Sequence, residues 1–377
     1  MRKFHYLLSM ETQTRKFMMG SDIFRGSVYG VGHPLNIARV WPVIDICFDL
    51  GWLSDANYLQ VAPAPAERLA LFHTSDYITA LFEAEQKQSL DSLRMERHRI
   101  GKDNNPIFPQ IYSRPATAAH ASILAAEMLA NGKADIIYNP AGGTHHGMPD
   151  RANGFCFVND PALAICYLLQ AGIDRIAYID IDAHHPDGVE AHLSGDARVR
   201  LFSVHEENRW PRTGRQGDKA GGFASNYTLP RGAGDAEFLA ICSENILPEL
   251  DEFAPEIIIL QAGCDGLRDD PQSGLLYSNI GYWRSISLLL SRNIPALVLG
   301  GGGYNPYTTA RAWVGVWGII SGHDPVSTLL PPASIALLRS LEWHHRLGRN
   351  PPENWFIRLA DNDAGNLATN HGSRINV

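Results

Sequence analysis

Residues 175–188 read RIAYIDIDAHHPDG, a short apolar run that changes abruptly to charged residues. The run is apolar at successive positions, which is typical of a strand buried on both faces in a parallel sheet. Asp180, Asp182 and His184 then alternate along the chain, so their side chains leave the sheet on one side. This segment therefore predicts a buried strand whose carboxyl end carries chemically active groups.

Three further apolar runs end in the same way: residues 134–139 before PAGGTHH, 256–261 before AGCDG and 296–299 before GGGGY. Segments of helical length lie between the runs, at residues 115–131, 160–171, 235–253 and 279–292. This alternation predicts an α/β fold with a central, mostly parallel sheet and helices on both faces. Because ligands bind beyond the carboxyl ends of the strands in such sheets, we expect the four polar loops to converge on one rim.

A metal site is predicted where two of these loops meet. Asp182 and His184 lie at the end of one predicted strand, and Asp265 follows another. Carboxylate and imidazole groups suit a borderline metal such as zinc, and three protein ligands leave a position open, as a catalytic zinc requires. A single aspartate after a strand is more often a helix N-cap. The complete run D-x-D-x-H-H-x-D favours the metal site over capping.

Two other groups at the predicted rim suggest catalysis. His145 and His146 are adjacent polar rings after a Gly-Gly turn, and we interpret them as a general base with an electrostatic partner or acid. Tyr304 follows four glycines that let the backbone approach a metal, and its phenol can donate to a developing oxyanion. The alternatives are a pair of surface histidines and a packed aromatic ring. A phosphate-binding loop is a weaker interpretation, because the glycines lack G-x-G-x-x-G or Lys-Ser/Thr spacing.

The composition limits the partners and the location of the protein. The 377 residues are 45% hydrophobic, and the formal net charge is −8 without a Lys/Arg-dense run. Neither nucleic acid nor an anionic membrane surface is therefore an expected partner. Five scattered cysteines without a CxxC pair predict a reducing, cytoplasmic setting. Residues 1–17 do not resemble a secretory signal, and no apolar run approaches the roughly 20 residues of a membrane helix.

The chain is predicted to form a single domain over residues 1–377, because no internal repeat or Pro/Ser-rich linker occurs before about residue 331. Residues 331–377 form a predicted C-terminal extension. Its polar run DNDAGNLATNHGSR is expected either to pack on the domain or to trail from it.

Four motifs together resemble the signature segments of the histone deacetylase superfamily: AGGTHHGMPDRANGFCFVND (141–160), YIDIDAHHPDGVE (178–190), QAGCDG (261–266) and LGGGGYNPYTTARAW (299–313). The resemblance extends from about residue 30 to 322 in order and spacing, and it implies the arginase–deacetylase fold. VHEENRWPRTG, LLYSNIGYW and AWVGVWGIISG look most like bacterial acetoin-utilisation-type deacetylases. The implied reaction is hydrolysis of the amide of N-acetyl-lysine in proteins or peptides.

The resemblance implies a role for each catalytic residue. Asp182, His184 and Asp265 would bind one zinc ion, and Tyr304 would polarise the scissile carbonyl alongside it. The implied pairs are His146 with Asp187, as the principal base and then acid, and His145 with Asp180, as the electrostatic partner. A potassium ion is also implied, bound by Asp180, Ser203 and the carbonyls of Asp182, His184 and Val204.

Further residues match positions that bind substrate or product in the family: Gly154, Phe155, Trp210, Gln272, Gly302 and Arg39. Gly154, Phe155 and Trp210 would line a narrow tunnel for the acyl-lysine arm. Arg39 would handle the acetate product in an internal channel.

Three residues depart from the family pattern. Pro186 replaces a glycine and removes an N–H beside the metal loop, which we expect to be tolerated because Asp187 is kept. Gln272 makes the tunnel mouth more polar than the usual Leu or Met. Arg212 stands where glycine is typical and is positioned to meet a carboxylate or phosphate on the substrate.

The residues around the predicted rim do not identify the substrate. Asp91 and Asp103, in the charged segment 83–105, are the candidates for the acidic residue that grips the substrate backbone in relatives. Glu206 and Glu207 keep a small acetylated amine, such as an acetylpolyamine, as the alternative substrate. The sequence also leaves open which acyl chain is preferred, whether the protein forms a homo-oligomer, and whether zinc or iron occupies the metal site.

Two other classes of protein are less consistent with the motifs. A ureohydrolase on the same fold would need two manganese ions and an aspartate two residues after Asp265, where this chain has Leu267. A catalytically dead binding module is disfavoured because the metal ligands, the histidine pair and Tyr304 are all present.

Overall fold

The structure is a computed structural model that describes residues 15–26, 29–30, 32–343, 345–347 and 350–362. Most of the N-terminal segment considered as a signal and residues 363–377 of the polar tail lie outside the described residues. Expectations for those two segments stay predictions.

One parallel sheet forms the centre of the described chain. Its eight strands are β1 (Lys16–Gly20), β2 (Tyr58–Gln60), β3 (Ile136–Asn139), β4 (Ile176–Asp180), β5 (Val199–Glu206), β6 (Ala224–Leu229), β7 (Ile257–Gln261) and β8 (Ala296–Leu299). Their order is β2-β1-β3-β8-β7-β4-β5-β6, and every neighbouring pair is parallel. The predicted α/β architecture with a parallel sheet is confirmed.

The four strands predicted from the sequence are β3, β8, β7 and β4, which lie side by side in the middle of the sheet. Their carboxyl ends therefore form one continuous edge, and the four polar loops leave the sheet there. The sheet also includes β1, which lies before the region of family resemblance.

Helices cover both faces of the sheet. The α-helices are α1 (Ile23–Gly26), α2 (Val40–Asp49), α3 (Ala66–Leu69), α4 (Ser75–Lys87), α5 (Ser92–His98), α6 (Ser113–Ala130), α7 (Asp160–Gln170), α8 (Asp187–Leu193), α9 (Asp235–Ala240), α10 (Leu247–Phe253), α11 (Asn279–Leu289), α12 (Pro306–Ser321) and α13 (Pro332–Arg339). A π-helical segment (Ile241–Ile246) joins α9 to α10, and a 3₁₀ turn (Glu353–Phe356) follows α13. None of the described helices has both the length and the apolar character needed to cross a membrane.

Successive strand residues point to opposite faces of the sheet, and a separate hydrophobic cluster covers each face. A third cluster includes buried residues of α4 and the start of α6. In β4, Ala177 and Ile179 belong to the cluster packed under α2, α11 and α12, whereas Ile176 and Tyr178 belong to the cluster under α6 and α7. The sheet is therefore buried on both faces, as its continuous apolar runs predict.

Several helices start directly after a loop of the polar edge. Asn159 caps α7 by accepting a hydrogen bond from the N–H of Ala162 at 3.0 Å. Asn305 caps α12 in the same way, from the N–H of Tyr307 at 3.1 Å. These caps fix where each loop ends and so define the position of the residues just before them.

The described part of the C-terminal extension packs on the main core. Trp355, Phe356 and Leu359 are buried in the cluster beneath α12. The buried guanidinium of Arg311 in α12 donates to Asp361 at 2.9 Å. Residues up to 362 are thus held against the sheet domain.

Candidate active site

The three predicted metal ligands meet at the carboxyl ends of β4 and β7. Ligand atoms of Asp182, His184 and Asp265 lie within 4.8 Å of one another, and all three residues are buried. Nδ1 of His184 is 3.1 Å from Oδ1 of Asp182 and 2.8 Å from Oδ2 of Asp265. The N–H of Ala183 donates to the other oxygen of Asp265 at 2.8 Å, which orients that carboxylate. The donors converge on one point.

This cluster fits a single divalent cation. Burial and the charge of Asp182 raise the pKa of Asp265 to about 6. At Asp182 burial is outweighed by the charge of His145 and the hydrogen bond with His184, so its pKa lies well below the usual value. A bound cation would therefore favour the ionised form of Asp265 in particular.

Two carboxylates and one imidazole are a donor set that zinc accepts. A Cβ at Gly302 would lie 2.2 Å from Oδ2 of Asp265, and one at Gly263 would lie 2.2 Å from Oδ2 of Asp182. Glycine at both positions leaves the carboxylates the room they occupy.

Two further groups orient Asp182. Its Oδ2 accepts hydrogen bonds from Nε2 of Gln261 at 2.9 Å and from the N–H of Gly302 at 2.6 Å. Its Oδ1 accepts from the N–H of His184 at 3.0 Å. Gly302, predicted to bind substrate, thus also holds a metal ligand in place.

The two adjacent histidines lie beside the metal ligands, each bound to a carboxylate. Nδ1 of His145 is 2.7 Å from Oδ2 of Asp180, and Nδ1 of His146 is 2.6 Å from Oδ1 of Asp187. The two Nε2 atoms are 3.0 Å apart. These are the pairs implied by the family resemblance. Both histidines are buried, so they are not the pair of surface histidines given as the alternative. Asn153 donates to the second oxygen of Asp187 at 3.0 Å.

The surroundings give the two imidazoles different pKa values. Burial alone would lower both, but at His145 the charges of Asp180 and Asp182 outweigh burial and raise the pKa to about 9. At His146 burial and the neighbouring His145 prevail over the charge of Asp187 and lower the pKa to about 4. These opposite shifts favour the charged form of His145 and the neutral form of His146, the division expected of the predicted electrostatic partner and base.

Tyr304 follows β8 and is held by a buried carboxylate. Its N–H donates to Oδ2 of Asp270 at 2.6 Å. Burial and then the charges of Asp265 and Asp182 raise the pKa of Tyr304, so the phenol stays protonated. The carbonyl of Gly303, just before it, accepts from Nη1 of Arg39 at 3.0 Å. The structure thus brings Arg39 behind the tyrosine.

The predicted tunnel residues lie in front of the histidine pair. The ring centroid of Trp210 is 4.6 Å from that of His146. A Cβ at Gly154 would lie 2.4 Å from Cη2 of Trp210, so the indole packs directly on this glycine. Phe155 has φ +69°, and its N–H donates to Oδ1 of Asn105 at 3.0 Å. The ring centroid of Phe155 is 6.3 Å from that of Tyr304. The predicted tunnel residues therefore lie next to this predicted catalytic residue.

The remaining predicted site residues occupy neighbouring positions. Ser203 is the register partner of Asp180 on β5, and Val204 follows it. Gln272 lies in the loop between β7 and α11, where its N–H donates to Oδ1 of Asp270 at 2.8 Å. Arg212 is exposed and has φ +66°, a conformation that favours glycine.

Two acidic residues considered for substrate binding have structural partners instead. Asp91 caps α5 and forms an ion pair with Arg94 at 2.5 Å. Glu206 is buried, accepts from the N–H of Gly274 at 2.8 Å and forms an ion pair with Arg209. Glu206 thus has partners within the protein, whereas Glu207, the other acidic residue considered with it, is exposed.

Asp103 remains beside the tunnel. It forms an ion pair with Arg99 at 3.1 Å and lines a cavity of about 350 Å³ together with His33. The ring of His33 lies 4.6 Å from that of Phe155, centroid to centroid, so this cavity adjoins the tunnel wall.

Sequence reasoning missed Gln261, Asn153, Asp270 and Tyr178, whose hydroxyl donates to Asp180. Gln261 had a usable signal, since it is a polar residue at the end of an apolar strand. Tyr178 also had one, since it lies two residues before Asp180 on the same strand and therefore on the same face. Asn153 and Asp270 bind site residues through contacts that no spacing pattern indicates.

Comparisons with known proteins agree with this geometry. A family model described as the histone deacetylase domain matches residues 33–320. The chain is 34% identical over 304 residues to histone deacetylase 2 of Oryza sativa subsp. japonica, an alignment that covers 78% of this chain and 59% of the rice protein. The chain thus spans about three fifths of the length of that relative.

Solved structures give the same result. An HDAC homologue from Aquifex aeolicus superposes with a TM-score of 0.86 at 33% identity, covering 92% of this chain and 95% of the other. The structure of an HDAC homologue complexed with SAHA gives the same values. The eight-stranded sheet with its polar edge is therefore an arginase–deacetylase fold. On the family match and these identities, the chain belongs to the histone deacetylase family.

Proposed function

We propose that this protein is a zinc-dependent deacetylase that hydrolyses the amide of N-acetyl-lysine in proteins or peptides. The observation that carries the proposal is the meeting of three metal-ligating side chains with two carboxylate-bound histidines at one sheet edge. Amide hydrolysis needs an electrophilic centre, a base and an acid within reach of one carbonyl, and these residues supply all three.

The metal would be held by Asp182, His184 and Asp265. Zinc bound there supplies Lewis acidity toward the carbonyl oxygen and lowers the pKa of a water molecule. The rest of the chemistry falls to the chain's own side chains.

His146 would act as the base. It is the neutral ring of the pair, so its Nε2 can take a proton from the attacking water, while Asp187 holds Nδ1. The positive charge on His145 would favour the anionic tetrahedral state. His146 would then return the proton to the departing lysine amine.

Tyr304 would stabilise the developing oxyanion. Its phenol stays protonated beside the carboxylates, so it can donate a hydrogen bond to the substrate oxygen. Such a donor contributes roughly 3–4 kcal/mol to the transition state in other enzymes.

The wall of Gly154, Phe155 and Trp210 supports a narrow, neutral acyl-lysine arm as the substrate. A cationic acetylpolyamine would have to rely on the exposed Glu207, because Glu206 is buried in an ion pair with Arg209. The exposed Arg212 also favours an anionic group near the tunnel mouth over a cationic one.

Several finer assignments belong to the same proposal. We infer an acetoin-utilisation-type enzyme of the bacterial cytoplasm, supported by the motifs over residues 204–214, 275–283 and 312–322. A potassium ion would bind through Asp180, Ser203 and Val204, which the strand register supports.

The test compares two substrates with one preparation of the protein, whose zinc content has been measured. Zinc-loaded enzyme should release acetate from an acetyl-lysine peptide much faster than from acetylputrescine. Removing the metal with a chelator should abolish turnover, and adding zinc back should restore it. Asp265→Asn, which removes one ligand charge, should neither bind zinc stoichiometrically nor turn over. If Asp265→Asn lost activity but kept its full zinc content, Asp265 would not be a zinc ligand. If the wild-type protein turned over acetylputrescine alone, an acetylated polyamine would replace acetyl-lysine as the proposed substrate.

A further inference from the structure

A second histidine cluster lies behind the candidate active site, and the mechanism above does not use it. His185 and His205 are both buried, and their ring centroids are 5.0 Å apart. His185 follows the metal ligand His184 directly, whereas His205 lies on β5. Buried polar rings need hydrogen-bond partners, and one partner of each ring lies in the same segment of the chain.

That segment is the loop after β5 that carries Trp210. Nδ1 of His185 is 2.8 Å from Oγ1 of Thr213. Nε2 of His205 donates to the carbonyl of Gly214 at 2.8 Å, because a carbonyl oxygen can only accept. Two consecutive loop residues are thus held by one ring from the predicted metal-binding loop and one ring from β5.

The loop is also packed closely on the first of these rings. A Cβ at Gly214 would lie 2.0 Å from Cδ2 of His185, and this glycine has φ +65°. Only glycine allows the chain to pass the imidazole here. The other edge of the ring is occupied as well, since Nε2 of His185 lies 3.1 Å from Oε2 of the largely buried Glu190.

Trp210 lies in the loop that these contacts hold. Its side chain is 45% exposed, so burial alone does not fix its ring. The ring nevertheless lies 4.6 Å from His146 and 6.5 Å from His184, centroid to centroid. Thr213 is three residues away, and the turn between them is closed by the N–H of Arg212 donating to the carbonyl of Arg209 at 2.7 Å.

We propose that Thr213, through His185, is a positioning residue that sets the distance between the Trp210 wall of the tunnel and the metal-binding loop. This inference depends on the proposed function only in the effect that it predicts on substrate binding. The hydroxyl of Thr213 touches neither the metal ligands nor the reacting atoms. Its loss should therefore weaken substrate binding more than it slows chemistry.

The matched variants are Thr213→Val, which removes the hydroxyl at constant shape, and Thr213→Ser, which keeps it. In protein labelled with 5-fluorotryptophan, the Trp210 resonance is identified by its loss in Trp210→Phe. Thr213→Val should shift or broaden this resonance, and Thr213→Ser should leave it at the wild-type position. An unchanged resonance in Thr213→Val overturns the inference, whether or not the protein has deacetylase activity.

Kinetics with an acetyl-lysine peptide then tests the consequence. Thr213→Val should raise KM by about fivefold, the effect of one lost hydrogen bond, with kcat within about twofold and zinc content unchanged. In a Trp210→Ala background the same change should have no further effect on KM. Independent, additive effects of the two substitutions would overturn the inference. A wild-type protein inactive on every acylated substrate would instead refute the proposed function, and the fluorine spectra would still decide the position of Trp210.

Discussion

His145 and His146 are neighbours in sequence, yet their surroundings give them opposite charge states. Each Nδ1 is bound to a carboxylate, but two carboxylates act on His145, whereas His146 faces the positive ring of His145. The proposed division of roles between base and electrostatic partner would therefore be a property of the pair.

His146→Ala should lower kcat by about 10²–10⁴-fold, because a positioned base contributes that much, while the zinc content stays at one per chain. Steady-state turnover of an acetyl-lysine peptide and metal analysis of the same sample measure both. His192→Ala, which removes an exposed histidine of α8, is the control and should behave as wild type. Loss of zinc in His146→Ala would make this residue a metal ligand.

Tyr304→Phe should lower kcat by about 10²–10³-fold, the cost of deleting one oxyanion donor. The ring and the backbone hydrogen bond to Asp270 are kept, so the zinc content and the midpoint of urea unfolding should not change. Turnover equal to that of the wild type would show that Tyr304 is only a packed aromatic.

Sequence patterns identified the residues with a distinctive spacing and missed those that support them. The alternation of Asp182 and His184 at a strand end is itself a signal of a metal site, and so is the double histidine. Asn153 and Asp270, in contrast, reach Asp187 and Tyr304 through the folded loops, and their positions in sequence carry no period. The partners of Glu206 were invisible for the same reason.

Strands were predictable where the sheet is buried on both faces. β4 and β7 are buried at every position, and their apolar runs are unbroken. β5 contains Arg200 and His205, and β6 has the mixed sequence ASNYTL, so neither shows a continuous run. The flanking strands therefore escaped prediction, whereas the central strands that carry the site did not.

The helix α8 gives a structural reason to expect that Pro186 is tolerated beside the predicted metal-binding loop. Pro186 occupies the N-cap position, where an N–H is not needed within the helix. Its carbonyl accepts from the N–H groups of Val189 at 3.1 Å and Glu190 at 2.9 Å, which opens the helix. Asp187 is thereby placed in the first turn, facing His146, and the expected tolerance agrees with this geometry.

The glycine loop after β8 should be as sensitive to substitution as the ligands it touches. Gly302→Ala would place a Cβ 2.2 Å from Oδ2 of Asp265, so we expect zinc affinity to fall by about 10–100-fold. Competition with a chromogenic chelator measures this. Gly195→Ala is the matched control, since nothing lies within 4 Å of a Cβ there. Equal zinc affinity in both variants would contradict the close packing of this loop on the ligands.

At the scale of the whole molecule, the described C-terminal extension is part of the stabilising core. Leu359→Ala should lower the free energy of unfolding by about 2–5 kcal/mol, because Leu359 is fully buried in the main cluster. Leu329→Ala removes the same atoms from a side chain that is 61% exposed and should cost about 0.5 kcal/mol or less. Urea unfolding of both variants provides the comparison. Equal values would mean that the extension does not contribute to the core.

The parallel arrangement of the strands leaves one margin of the sheet without any of the reactive residues. The chain enters β3 there through the exposed residues Asn131, Gly132 and Lys133, and a Cβ at Gly132 would meet nothing within 4 Å. The four residues of β3 separate this point from the histidine loop by about 13 Å. New termini of a circular permutant, or an inserted fluorophore, could therefore be introduced at this turn while the reactive groups at the far ends of the strands keep their positions.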